Sequence, residues 1–245
     1  MKQIQTNQPT PILNTPDFSY AFGGKNGKEI PLDAKGHPFC FEFVALKGTP
    51  FTVEKEFSSI LQVSCSFYPS SPLFLDRRFV TSYNAPFSPQ LPEKKIILER
   101  MEKLTGTPYV WGGNWSPGIP EMLSYYPPKD LLDEKTKTYW SLAGVDCSGL
   151  LYQATGGATP RNTSQLIHYG KALKINDLPQ PLDMIIYPGH VLFVLNANFS
   201  IESKFPFGVI QRPLKERLEE LGSFVDEWTP DLDPTRHFMI RRFCK

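Results

Sequence analysis

From Phe39 onward the chain breaks into short runs of apolar and polar residues divided by turn formers. The runs lie at 39–46, 50–57, 60–67 and 73–83, separated by Lys47-Gly48, Ser58-Ser59 and Pro69-Ser70-Ser71-Pro72. Within 60–65, Leu61, Val63 and Cys65 alternate with Ile60, Gln62 and Ser64, the period of a half-buried strand. Four such runs in close succession predict a small β-barrel. Ahead of them, residues 1–38 read as mostly turn-forming, with Gly23-Gly24 and Asn26-Gly27 marking tight loops, and the proline-rich stretch 84–92 reads as a linker.

The period then changes. Ile97, Met101 and Leu104 keep helical spacing over 93–104, and Gly106-Thr107-Pro108 stops that helix. Residues 114–144 read as irregular. A second helix opens at Cys147, where Cys147, Leu150, Leu151 and Ala154 fall at i, i+3, i+4 and i+7 before Gly156-Gly157. Strands are expected at 183–187, 190–196, 199–204 and 236–243, with a charged helix near 213–221. The order predicts an α+β chain, a barrel domain over 1–88 followed by a mixed domain over 89–245.

Composition narrows the function. Lys+Arg 26 against Asp+Glu 25 leaves a net charge of +1 over 245 residues, which argues against a nucleic-acid or polybasic membrane surface. No apolar run approaches the ~20 residues of a membrane span. The four cysteines show no CxxC pair and no zinc spacing, so neither metal nor cofactor is expected. Residues 1–13 carry no signal-peptide pattern, and a reducing, cytoplasmic location is the expectation.

The candidate chemistry centres on Cys147. A thiol in the first turn of a helix is placed where the helix dipole favours the thiolate. The same spacing also fits a small core residue. A catalytic thiol needs a base, and among His37, His168, His190 and His237 the best placed is His190, which Gly189 leads into the apolar run Val191-Leu192-Phe193-Val194-Leu195. The alternative is a hydrogen-bonded structural histidine. If Asn196-Ala197-Asn198 is a three-residue loop, Glu202 shares a face with His190 as its diagonal neighbour. A two-residue loop flips the parity and brings Ser203 there instead. Glu202 is otherwise a solvated strand carboxylate.

These pieces together resemble one family. Thr107-Pro108-Tyr109-Val110-Trp111-Gly112-Gly113 precedes Asp146-Cys147-Ser148-Gly149-Leu150, then Thr159-Pro160-Arg161-Asn162-Thr163-Ser164-Gln165, then Gly189-His190-Val191 and Glu202. Over roughly 93–204 the chain resembles the NlpC-type cell-wall cysteine peptidases, which have a papain-like fold. Leu61-Gln62-Val63 and Ser66-Phe67-Tyr68-Pro69 resemble the SH3-like domain of the subgroup that cleaves the γ-D-glutamyl–diamino acid bond of peptidoglycan stem peptides. The resemblance implies Cys147 as nucleophile, His190 as base and Glu202 as orienter. It further implies Tyr109 and the Cys147 backbone N–H at the oxyanion, and Asp146, Ser148, Thr163 and Ser164 on the substrate. Tyr68 would restrict the pocket to short muropeptides with a free N-terminus. Without the resemblance, Asp146 reads as a helix cap and Tyr109 as a turn aromatic.

The sequence departs from the family pattern in three places. Glu202 stands where the family usually has histidine. The span from Gly113 to Asp146 is long. Ser66 and Phe67 stand where the subgroup has an acidic residue before its tyrosine. Two other functions use the same residues: a muropeptide-binding module without chemistry, and a papain-like amidase or acyltransferase acting on another γ-glutamyl amide.

Overall fold

The computed structural model of the chain describes residues 2–70 and 72–244. In chain order its first elements are β1 (Lys2–Thr6), β2 (Thr10–Leu13), α1 (Phe18–Ala21), β3 (Phe41–Ala45), β4 (Pro50–Phe57), β5 (Ile60–Ser64), β6 (Leu73–Asp76) and β7 (Val80–Ser82). Next come α2 (Lys94–Lys103), β8 (Asn114–Trp115), α3 (Glu121–Tyr125), α4 (Glu134–Trp140), β9 (Gly144–Val145), α5 (Cys147–Ala154) and α6 (Thr163–Leu166). The chain continues with β10 (Lys171–Ala172), β11 (Met184–Tyr187), β12 (His190–Val194), β13 (Phe199–Lys204), β14 (Gly208–Pro213), α7 (Leu214–Leu221), β15 (Ser223–Phe224) and β16 (His237–Arg242). It is a mixed α and β protein.

Contacts divide the chain into two compact units whose first break, after Pro89, lies one residue from the expected boundary at 88/89, but the chain later returns to the first unit. One runs to Pro89 and resumes over Pro108–Asp146; the other holds Gln90–Thr107 and the chain from Cys147 onward. The reason is burial. Val110, Ile119, Met122, Trp140 and Leu142 bury their side chains in one cluster with Phe18, Phe41 and Phe79.

The first unit is built on an antiparallel sheet of order β3-β2-β6-β5-β4-β1-β7. Residues 22–38 are turns and bends as expected, but β1 and β2 were not anticipated and are integral to this sheet. Pro11 lacks an N–H and argues locally against a strand. Ile12 and Leu13 are nevertheless fully buried, and that tertiary burial outweighs local preference. The run 73–83 is broken at Arg77–Phe79 by a single 3-10 turn, where the Asp76 carboxylate accepts from the Arg78 N–H at 2.9 Å. Residues 114–144 are not irregular either. They form α3 and α4, the latter capped by Asp133 accepting from Thr136 N–H at 2.6 Å. Helices of five and seven residues are too short to show a period. The Asn114 side-chain amide pairs with Val44 like a strand neighbour, donating to its carbonyl at 2.8 Å and accepting from its N–H at 2.9 Å.

The second unit carries an antiparallel sheet of order β10-β16-β11-β12-β13-β14, with β15 parallel to β16. Strand β14 was not expected; it pairs with β13 from Lys204↔Gly208 to Phe199↔Pro213. Ile185, Leu192, Val194 and Ile240 on the sheet bury against Leu214 and Leu221 of α7, each such side chain contributing roughly 1.5–3 kcal/mol. Helix α5 buries Cys147, Leu150, Leu151 and Ala154 as the spacing predicts, and Ser148, Gly149 and Tyr152 besides. Its C-terminal carbonyl at Ala154 accepts from Arg100 of α2 at 3.0 Å.

Candidate active site

Helix α5 opens on Cys147, whose side chain is buried, and the sulfur lies 3.9 Å from the Gly189 carbonyl. Gly189 has φ +89°, a left-handed turn that starts β12 at His190. The His190 Nε2 lies 2.7 Å from Glu202 Oε2, and Cys147 of the same unit acts on the imidazole electrostatically.

Register explains why Glu202 is there. Phe193 pairs with Ile201 and Val194 with Ser200, and the Leu195 N–H donates to the Phe199 carbonyl at 2.9 Å. The loop is therefore Asn196-Ala197-Asn198, and the period of two sets Glu202 rather than Ser203 on the face of His190.

Glu202 is fully buried, and a buried carboxylate is stable only when its oxygens are paired. The pairing comes from Arg217 of α7, itself 4% exposed. Its Nε donates to Oε1 at 2.7 Å and its Nη2 to Oε2 at 3.1 Å. Arg217 Nη1 donates onward to Glu220 at 3.3 Å, and Tyr187 adds to the electrostatic surroundings of the guanidinium.

The charges follow from these contacts. Burial disfavours a charged imidazole, but the influence of Cys147 and the hydrogen bond to Glu202 outweigh it and raise His190 from 6.5 to about 9. Burial likewise opposes the Glu202 carboxylate, yet His190 and Arg217 hold it at about 2. The imidazole thus carries its proton at neutral pH and is placed to act as a proton donor.

Arg217 was missed by sequence reasoning. The available signal was its position: Leu214, Leu218 and Leu221 mark the apolar face of α7, and Arg217 lies between them. A charged residue in that stripe calls for a buried partner.

The remaining candidates are held in different ways. Ser148 is buried, its hydroxyl accepting from Arg161 Nη1 at 2.8 Å. Thr163 opens α6 and is half-buried. Ser164 is exposed, and its hydroxyl and N–H both donate to the Asn162 cap at 3.1 Å. All of these belong to the second unit.

Asp146, Tyr109 and Tyr68 belong to the first unit. The Asp146 carboxylate accepts from the Gly112 N–H at 3.0 Å, and its own N–H donates to the Gly113 carbonyl at 2.9 Å. Gly112 has φ +75°, and a Cβ there would meet Phe41 Cβ at 3.1 Å and the Glu42 carbonyl at 3.2 Å. Tyr109 is half-buried with its ring 5.8 Å from His37, which stacks on Trp111 at 4.9 Å. The Tyr68 hydroxyl donates to Glu42 Oε2 at 2.9 Å while its ring packs on Phe43 at 4.4 Å. Asn14 Nδ2 donates to the same carboxylate at 3.1 Å. The acid beside Tyr68 therefore comes from β3 rather than from the residue before the tyrosine. Its signal was a single glutamate between Phe41 and Phe43.

Among the described residues, no group of three or more His, Cys, Asp or Glu side chains is placed to hold a metal ion. No helix among them is long and apolar enough to cross a membrane.

No protein-family model matches the chain, and no curated protein matches it. Solved structures do. An NlpC/P60 family protein from Bacillus cereus is similar over 100% of this chain and 64% of its own, at 18% identity and a TM-score of 0.41. The peptidoglycan hydrolase RipB from Mycobacterium tuberculosis is similar over 62% of this chain and 65% of its own, at 21% identity and a TM-score of 0.39. RipD from the same organism, a non-catalytic NlpC/p60 domain protein adapted to peptidoglycan binding, matches 61% of this chain and 95% of its own, at 19% identity and a TM-score of 0.39. The chain thus spans just under two thirds of the length of the first two.

Proposed function

We propose that this chain is a cysteine peptidase that hydrolyses the γ-D-glutamyl–diamino acid bond of peptidoglycan stem peptides carrying a free N-terminal L-alanine. The observation that carries the reading is His190 at 2.7 Å from a buried, ionised Glu202, with Cys147 opening the helix of the same unit and raising the imidazole's pKa. In that arrangement the Cys147 thiolate attacks the γ-glutamyl carbonyl, and the helix N-terminus stabilises the developing oxyanion. The C–N bond breaks as His190 gives its proton to the leaving amine, and a thioester remains. Water, deprotonated by His190, then releases the γ-glutamyl acid and the thiol.

Bond and substrate choice rest on the resemblance together with the acidic groups of the first unit. Asp146 and the Tyr68–Glu42 pair supply carboxylates suited to an ammonium group. The SH3-like reading of that unit belongs to the same proposal. Four free cysteines suit a reducing cytoplasm and a role in recycling wall fragments.

The test is mass spectrometry of L-Ala-γ-D-Glu-diaminopimelate with a free and with an acetylated N-terminus. Release of diaminopimelate from the free peptide alone is expected. Equal cleavage of both would remove the free-amine selectivity, and intact peptide bound by the protein would leave a binding module.

A further inference from the structure

We propose that Arg217 is a positioning residue for the Cys147–His190 pair: its guanidinium makes Glu202 act on His190 as a charge-compensated hydrogen-bond acceptor. The inference rests on the peptidase reading and goes beyond it, because Arg217 lies outside every motif that the reading uses.

Geometry is the first argument. Oε1 of Glu202 accepts only from Arg217 among the bonds described, while Oε2 is shared by Arg217 Nη2 and His190 Nε2. The planar fork holds the carboxylate on both oxygens, so it cannot rotate about its own axis while His190 moves a proton. An imidazole is thereby fixed with Nε2–H on the carboxylate and its other nitrogen free for the thiol.

Charge is the second. Thiolate, imidazolium, carboxylate and guanidinium sum to zero. Without Arg217 the buried set carries one net negative charge, which holds the proton on His190 more tightly and slows its transfer to the leaving amine. The groups facing this set are Cys147 of α5, Tyr187 of β11, and Glu220 of α7, with Arg212 of β14 pairing Glu220 at 2.7 Å. Glu220 is partly exposed and already paired by Arg212, so it leaves the Arg217 charge for Glu202.

A purely structural role is separable, because α7 has its own apolar anchors in Leu214 and Leu221. The experiment compares wild type, Arg217→Met, Arg217→Lys, Glu202→Gln and the double variant Glu202→Gln/Arg217→Met. Two readouts are used: kcat and KM on the stem peptide, and the pH dependence of Cys147 alkylation by iodoacetamide, which needs no substrate. Arg217→Met should lower kcat roughly 100-fold with KM little changed, the low end of what a positioned acid–base group contributes. It should also move the alkaline inflection of alkylation to higher pH. The neutral double variant should regain about tenfold over Arg217→Met, as expected for directly coupled residues. Arg217→Lys should fall between wild type and Arg217→Met.

An unshifted inflection in folded Arg217→Met, or a double variant no better than Arg217→Met, would overturn the proposal. If Arg217→Met does not fold, the double variant against Glu202→Gln decides: removal of Arg217 must then raise activity. If wild type cleaves nothing while the inflection still shifts, the peptidase reading fails and the Arg217 assignment stands.

Discussion

At the scale of single residues, His190 and Glu202 make opposite contributions to the pH dependence of stability. His190 is raised from 6.5 to about 9 by Cys147 and Glu202, so the native state binds more protons than the unfolded chain in that window. Its stabilisation is complete below 6.5 and is lost as pH rises through about 9. Glu202 is lowered from 4.5 to about 2, so its stabilisation is complete above 4.5 and is lost as pH falls through about 2. Urea unfolding across this range should therefore show stability rising with pH on the acid side, a plateau, and a fall on the alkaline side. In His190→Ala the alkaline fall should disappear, whereas the acid-side rise should persist because Arg217 still pairs Glu202. A persistent alkaline fall of undiminished size would assign that proton to another group.

Much of the candidate site was legible at this scale and some was not. Cys147 and His190 announce themselves by local pattern, a thiol opening a helix and a histidine opening an apolar strand. Period two and loop length narrow the third residue to Glu202 or Ser203, and only the register, Phe193 against Ile201, selects Glu202. Arg217 and Glu42 have no such link. Arg217 lies on a helix, fifteen positions from Glu202, and Glu42 meets Tyr68 across twenty-six. Neither separation corresponds to a period, so only the folded arrangement reveals them.

At the scale of elements, turns and caps carry precision that propensity cannot express. The Trp-Gly-Gly turn positions Asp146 through the Gly112 N–H, at a backbone conformation glycine adopts without strain. Gly112→Ala adds both a left-handed penalty and a Cβ against Phe41 and Glu42. It should destabilise the protein by about 1–3 kcal/mol, read as a lower midpoint in chemical unfolding. Unchanged stability would mean that the turn relaxes without cost. The same principle explains the misread N-terminal region: Pro11 and the nearby turn formers hide two strands that Ile4, Ile12 and Leu13 stabilise by burial. Helices α3 and α4 escaped because two turns or fewer of helix leave no measurable period.

At the scale of the whole molecule, the chain interleaves its two units rather than joining them end to end. Residues 108–146 belong by burial with the strands that precede them, through Val110, Met122 and Trp140. A break beside the expected boundary at 88/89 is present, after Pro89, but the return of residues 108–146 rests on long-range apolar contacts that leave no local mark. The catalytic candidates Cys147, His190 and Glu202, with Arg217, all fall in the second unit, whereas Tyr68, Glu42 and Asp146 fall in the first.

The account stands on Cys147 as a nucleophile served by His190. The most direct measurement is mass-spectrometric turnover of L-Ala-γ-D-Glu-diaminopimelate by wild type, Cys147→Ala and His190→Ala, with folding of each checked by circular dichroism. The account predicts cleavage at the γ-glutamyl bond by wild type and none detectable by either folded variant. Cleavage by folded Cys147→Ala at the wild-type rate would contradict it.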